Sequence, residues 1–373
     1  MRRILFLLSL LILTLAGLTA LPTTNAQPLT WATATTPTGS TELISVFCVS
    51  SNDCWIVGYS GTIIHWNGSS WATVTSPTNK DLVSVSCVSS SDCWALGWVY
   101  AVGAVGTIIH WNGSSWATVT NPTSQILYSV FCVSSNDCWI VGAAGTIIHW
   151  NGSSWATVTS PTNKDLVSVS CASSSDCWAV GVGDTIIHWS GSSWATVTSP
   201  TSKGLLSVFC VSSSDCWAVG RGGTIVQWSG SSWATVTSPT SQILQSVFCV
   251  SSNDCWAVGG SPGREGGSGS GGTIIQWNGS SWATVTSPTI NYLQSVFCAS
   301  SNECWAAVGN DDAAVGGIIH GTSTTSSMQT TSGGSGMGIP GFPLEAIVLG
   351  AFLGFGLLFV LRRRLLDARS SIS

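Results

Sequence analysis

The cysteines constrain this chain more than any other feature. They fall at 48/54, 87/93, 132/138, 171/177, 210/216, 249/255 and 298/304, seven C-x5-C pairs with none left over. The first cysteine of each pair recurs after 39, 45, 39, 39, 39 and 49 residues. The chain is therefore one 39-residue unit written seven times, with insertions of 6 and 10. A unit of that length cannot bury its own apolar face and must stack on its neighbours.

Each unit carries four apolar pieces, in the first LISVFCVS (43–50), CWIVG (54–58), TIIHW (62–66) and WATVTS (71–76). They are short, β-branched and aromatic, with Gly, Asn, Ser or Pro between them, which is a strand pattern. Asn67-Gly68 signals a hairpin turn, because both residues tolerate positive φ. Pro77 removes a ladder donor and stops the fourth strand. Four antiparallel strands per repeat describe a propeller blade. The phase of the repeat predicts a closed ring. A lone fourth-strand piece, WATATT (31–36), precedes the array, and the last unit ends on its third piece, Ile318-Ile319-His320. Joining the two removes open edges. An open solenoid needs capping repeats, and none is visible. The predicted fold is an all-β, seven-bladed β-propeller over residues 27–320, closed by the N-terminal strand.

The ends place the chain outside a membrane. Arg2 and Arg3, an apolar run over 4–21 and small residues up to Ala26 have the layout of a secretory signal, 1–26. Residues 321–338 are rich in Ser, Thr and Gly and read as a flexible stalk. Residues 339–364 read as a short motif (340–342), one C-terminal transmembrane helix with its uncharged run at 346–361, and the cluster Arg362-Arg363-Arg364, with 365–373 as a cytoplasmic tail. An export route makes disulfides the expected state of the cysteines. Each pair faces itself across a hairpin: Cys48–Cys54, Cys87–Cys93, Cys132–Cys138, Cys171–Cys177, Cys210–Cys216, Cys249–Cys255 and Cys298–Cys304. A metal needs a tight Cys/His cluster, which this spacing does not build. No metal and no cofactor is expected, and Asn310-Asp311-Asp312 reads as a solvated turn.

Two resemblances follow. Cys177-Trp-Ala-Val-Gly181 with Thr185-Ile-Ile-His-Trp-Ser-Gly-Ser-Ser-Trp194 resembles a family of bacterial and archaeal surface propellers built on W-A-V-G…G-T-I-x-H-W-x-G-x-x-W repeats. That family is distantly like the Asp-box and photosystem-assembly-factor propellers, and the likeness implies the fold rather than an activity. Pro340-Gly341-Phe342, ahead of an apolar helix and a basic end, resembles the archaeal PGF-CTERM-type sorting signal. That resemblance implies cleavage by an archaeosortase and a replacement lipid; the other reading keeps the helix as an anchor. Both give a cell-surface, membrane-anchored protein with the propeller extracellular.

Twenty of the 21 Trp occupy repeat positions and are expected to pack between blades. The five His (65, 110, 149, 188, 320) share one repeat position, with Gln227 and Gln276 in the other two blades. A catalytic His is normally single, so a hydrogen bond within the sheet is expected. The acid before each second Cys is expected to bond local backbone. Asn67, Asn112, Asn151 and Asn278 are N-glycosylation acceptors by sequence; the hairpin turn alone also explains them.

Loops joining first to second and third to fourth strands barely vary between repeats, whereas those joining second to third and fourth to first carry nearly all the differences. Alternating strand direction puts the two sets on opposite rims. Constant scaffold with variable loops on one face is a binding design. The candidate ligand-binding residues there are Trp98, Tyr100, Lys80, Asp81, Lys164, Asp165, Lys203, Arg221 and Tyr292. Residues 27–339 hold 5 basic and 14 acidic side chains, which argues against a nucleic-acid partner. A sialidase-type clamp of three Arg is absent, since this stretch has only Arg221 and Arg264. Nothing marks a hydrolase carboxylate pair. The expected function is non-enzymatic recognition of a protein or glycan; the alternative is a surface glycan-processing enzyme, a hydrolase or lyase, on the same scaffold.

Overall fold

Every repeat forms its four strands. In a computed structural model describing residues 28–37, 41–98, 105–260, 271–309 and 316–323, the chain makes seven four-stranded antiparallel sheets. Blade 1 comprises Leu43–Ser50, Asp53–Gly58, Ile63–Trp66 and Trp71–Thr73. Blades 2 to 6 repeat this order. Blade 7 takes three strands from the C-terminal end, Leu293–Ser300, Glu303–Val308 and Gly317–Ser323, and its fourth from the start of the chain, Leu29–Ala34. Trp31 lies opposite Gly321 in that pairing. The ring is closed as the repeat phase predicts. The third strand of blade 7 runs to Ser323, so the sheet reaches three residues past the predicted boundary at 320. The partner strand explains this, because Leu29 and Thr30 pair with Ser323 and Thr322.

The first three residues of the expected stalk, 321–323, belong to this third strand of blade 7; the signal segment, the rest of the stalk, the sorting motif, the apolar helix and the tail lie outside the described residues. Among the described residues no helix is long and apolar enough to cross a membrane.

The core is a set of wedges between blades. In one, Trp55, Val57 and Ile63 of blade 1 pack on Leu82, Val85, Ala95 and Trp116 of blade 2. Trp55 lies 5.4 Å from Trp116, edge to face, and 5.0 Å from Trp111. The same pattern recurs around the ring, with Trp305 of blade 7 set against Trp66 and Trp71 of blade 1. Edge-to-face indoles fill a wedge whose walls diverge and add about 0.5–1.5 kcal/mol per pair beyond area burial. At the blade 6–7 wedge Trp256 meets Trp31 alone, because Gly321 stands where the other blades carry the third-strand Trp. A Cβ there would come within 2.8 Å of the Trp31 ring.

The hairpin turns between first and second strands use only two of the five residues that separate the paired cysteines. The strands run to Ser50 and from Asp53, leaving Ser51-Asn52 as the turn. Cys48 and Cys54 are register partners, and all seven predicted disulfides are formed.

The first strands are innermost, where each inner edge lacks a neighbour to pair with. One serine per blade answers that need. Val85 N–H donates to Ser45 Oγ, and the same bond passes from Val130 to Ser84, Val169 to Ser129, Val208 to Ser168, Val247 to Ser207, Val296 to Ser246 and Val46 back to Ser295. The distances are 3.1–3.3 Å, and the circle closes on blade 1. Sequence reasoning missed this ring, although Ser-Val stands at the same place in all seven repeats. A polar residue invariant at a strand position facing an unpaired edge was the available signal.

Candidate binding rim

The two rims differ in what their side chains are free to do. On the constant rim, the repeated His, acid and Trp form one assembly. His65 Nε2 stands 2.7 Å from Asp53 Oδ1, and its ring stacks on Trp55 at 4.2 Å. His110–Asp92, His149–Asp137 and His188–Asp176 repeat the pair at 2.8 Å, and His320–Glu303 at 3.2 Å. Gln227 and Gln276 donate to Asp215 and Asp254 in the remaining blades. The expectation that these acids bond local backbone is corrected: their partner is a side chain on the neighbouring strand of the same blade. Register is the reason. His65 lies opposite Trp55, two residues from Asp53, which brings its ring nitrogen over the carboxylate.

Trp66 Nε1–H donates to Ser51 O at 3.0 Å, and the other Trp of this class do the same in their blades. The turn asparagines use their side chains too. Asn67 Oδ1 accepts from Ser69 N, Ser69 Oγ and Ser70 N, and Asn112, Asn151 and Asn278 are built alike.

Charge on the constant rim follows its partners. Burial alone would raise the carboxyls of Asp53, Asp92 and Asp137, but hydrogen bonds from His and from a serine of the next blade hold each below the ordinary range. The His320 hydrogen bond, working against burial, holds Glu303 low as well. For a depressed carboxyl, the stability it contributes is complete above its unfolded pKa, near 3.8 for Asp, and is lost as the pH falls below that. Asp254 shows the opposite sign. It is 3% exposed and faces a neutral Gln276, so burial raises its pKa. Its contribution is favourable in acid and declines as pH rises through the raised value. Replacing Gln276→His is expected to move the Asp254 carboxyl from above to below the ordinary range, read by carboxyl-carbon NMR titration. An unmoved titration would show that the histidine is not what depresses the other carboxyls.

On the variable rim the predicted residues separate into two groups. Asp81 and Asp165 are engaged in holding loops. Asp81 Oδ1 accepts from Ser60 N at 2.8 Å, and Asp165 Oδ1 from Ala144 N at 2.8 Å. Each reaches back to the second-to-third loop of the preceding blade. Ser60 and Ala144 have φ of 53° and 52°, a left-handed conformation that costs a residue with a Cβ about 1–2 kcal/mol. The carboxylates secure those two loops. Tyr292 donates from its hydroxyl to the buried Glu42 at 2.7 Å, and Gln294 donates to the same oxygen. Glu42, at the seam where blade 7 meets blade 1, carried no signal of its own in the sequence.

The cations form the second group. Lys80, Lys164, Lys203 and Arg221 are the basic residues among the described residues, and all four lie on the variable rim. Lys164 pairs with Asp184 at 2.6 Å, with both side chains half exposed or more. Lys80 and Lys203 reach the backbone oxygens of Val105 and Gly222 at 3.5 Å. Arg221 is exposed, and its guanidinium has no partner among the described residues. Trp98 ends its strand half buried, opposite Asp81. Tyr100 lies outside the described residues, as do Arg264, Asn310-Asp311-Asp312 and most of the two insertions. Among the described residues no three His, Cys or acidic side chains gather as a metal site would require.

No protein-family model and no curated protein matches this sequence. Solved structures match its fold. YCF48 bound to D1 peptide is 16% identical, covers 82% of this chain and 100% of its own, and superposes with a TM-score of 0.60. The WD40 β-propeller domain of Doa1 is 15% identical over 81% of this chain and 98% of its own, with a TM-score of 0.61. A catalytically inactive virginiamycin B lyase from Staphylococcus aureus with quinupristin is 12% identical over 79% and 99%, with a TM-score of 0.65. At such identities the likeness is one of fold, and the same fold carries both binding proteins and an enzyme.

Proposed function

We propose that this protein is an exported, non-enzymatic binding propeller that recognises a protein or peptide partner through its variable rim. One observation carries the reading. The described cations all lie on the rim where the repeats differ. On the other rim, carboxylates, His, Trp and Asn are committed to repeat-invariant internal bonds. A propeller neighbour solved with a peptide supports a peptide ligand by analogy of fold alone. The anchored, cell-surface placement rests on the sequence of the two ends, with residues 339–364 retained or exchanged for a lipid. The four sequons lie on the constant rim, so glycans there would leave the variable rim bare.

The test is a peptide array beside a glycan array, probed with purified, oxidised protein. Peptide binding that weakens at least fivefold on Lys203→Ala or Arg221→Ala, and is unchanged by Asn67→Ser, is the expected outcome. Ser190 and Ser229 already hold the same turn elsewhere, so Asn67→Ser leaves the fold intact. Glycan turnover abolished by one rim Asp→Asn change would overturn this reading in favour of a glycan-processing enzyme.

A further inference from the structure

The repeats provide their own comparison at the variable rim. In blades 1 and 3 the second residue of the tight loop has its N–H capped by an aspartate of the next blade, Ser60 by Asp81 and Ala144 by Asp165. The equivalent donor in blade 4 is Gly183 N, and the residue equivalent to the capping aspartate is Gly204. The carboxylate is missing between blades 4 and 5, as it is where Ile126, Ile243 and Tyr292 take the same position, but only Gly204 leaves that position without a side chain; Gly183 N–H has no acceptor among the described residues. Gly183 has a φ of 66°, which glycine adopts freely, so this loop stands without the cap.

The vacated position is not closed. A Cβ on Gly204 would stand 3.6 Å from Gly183 N and 3.8 and 3.9 Å from Arg221 Cδ and Nε, all ordinary contact distances. Arg221 N donates to Gly204 O at 3.1 Å, which fixes the arginine beside the gap. Lys203 Nζ reaches Gly222 O, and Lys164 Nζ would lie 3.9 Å from a Cβ on Gly183. A backbone donor and an unpaired guanidinium thus border a place shaped, in two sister blades, around an aspartyl carboxylate, with the Asp184 carboxylate next to Gly183 neutralised by its ion pair with Lys164. Charge-assisted hydrogen bonds to a carboxylate are roughly twice as strong as neutral ones.

We propose that this notch binds an aspartate side chain of a partner peptide, seated on Gly183 N–H and Arg221 in place of the missing internal carboxylate. The proposal rests on the variable rim being the binding face and names the chemistry recognised there. The occupants at the sister positions are aspartates on a peptide chain, which favours a peptide carboxylate over a uronic acid.

The test follows the Gly183 amide by NMR in the full chain. N-acetyl-aspartate N-methylamide is the probe, with the asparagine analogue and galacturonic acid as the other arms. The aspartate probe is expected to shift the Gly183 amide proton downfield saturably, and the asparagine analogue is not. Arg221→Gln weakens the response at least fivefold. Gly204→Asp abolishes it, because the repeat's own carboxylate fills the notch and moves the unliganded Gly183 amide to the bound position. Gly204→Ala adds a Cβ without a carboxylate and retains binding, which separates occupancy from misfolding. An undiminished response in Gly204→Asp overturns the notch, and a stronger response to galacturonic acid overturns the peptide assignment. Array ligands sensitive to Lys203→Ala but indifferent to Gly204→Asp would leave the binding rim standing without the notch. A Gly183 response with no array ligand would do the reverse.

Discussion

Protein that has been unfolded, reduced and refolded in reductant is expected to melt more than 10 °C below the oxidised protein, or not to regain a cooperative transition. Each C-x5-C loop, when closed, removes about 2 kcal/mol of chain entropy from the unfolded state. There are seven such loops, and the net stability of a folded domain is only about 5–15 kcal/mol. The disulfides matter because the unit is short of other constraints. Its fourth strands are as short as three residues, such as Trp71–Thr73. Unfolding before reduction makes every pair accessible, since Cys54 and its equivalents are wholly buried. Circular dichroism with and without reductant measures the effect. Superimposable melts would show that the Trp wedges and the serine ring suffice alone.

Opening the ring is the second large effect. Trp31 is 6% exposed, edge-on to Trp256, and among the described residues carries the one wedge in which a single indole does the work of two. Trp31→Ala is expected to cost about 3–5 kcal/mol. In a chain of this size that corresponds to a fall in Tm on the order of 10 °C. Deleting residues 28–37 goes further, because it leaves the strand Gly317–Ser323 as an unpaired edge. An exposed edge recruits another chain. The deletion variant is expected to elute as dimers and larger species by light scattering, whereas Trp31→Ala stays monomeric at low temperature. A monomeric, stable deletion variant would mean that the seventh blade does not depend on its borrowed strand.

Much of this was readable in one dimension. Spacing of the cysteines gave the number of blades and the disulfide partners, since a hairpin brings residues six apart face to face. The truncated last repeat and the lone WATATT gave the closing strand. The candidate residues on the rim were legible as differences between copies. Their roles were not: Asp81 and Asp165 stood out as charges, yet they hold neighbouring loops, whereas Gly204, which has no side chain to notice, defines the gap. The His–carboxylate pairs were also hidden, because they join residues 12 to 18 apart through register rather than through a motif.

The sequence by itself determined the unit, its sevenfold count, its strands and its staples, because each of those is settled within about 40 residues by turn chemistry, alternation and loop closure. Only the tertiary structure decided the bonds from one blade to the next. The serine ring, the aspartate caps and the notch at Gly204 depend on how far successive blades are rotated about the common axis. That rotation is set by the indoles wedged between them, and no single repeat encodes it.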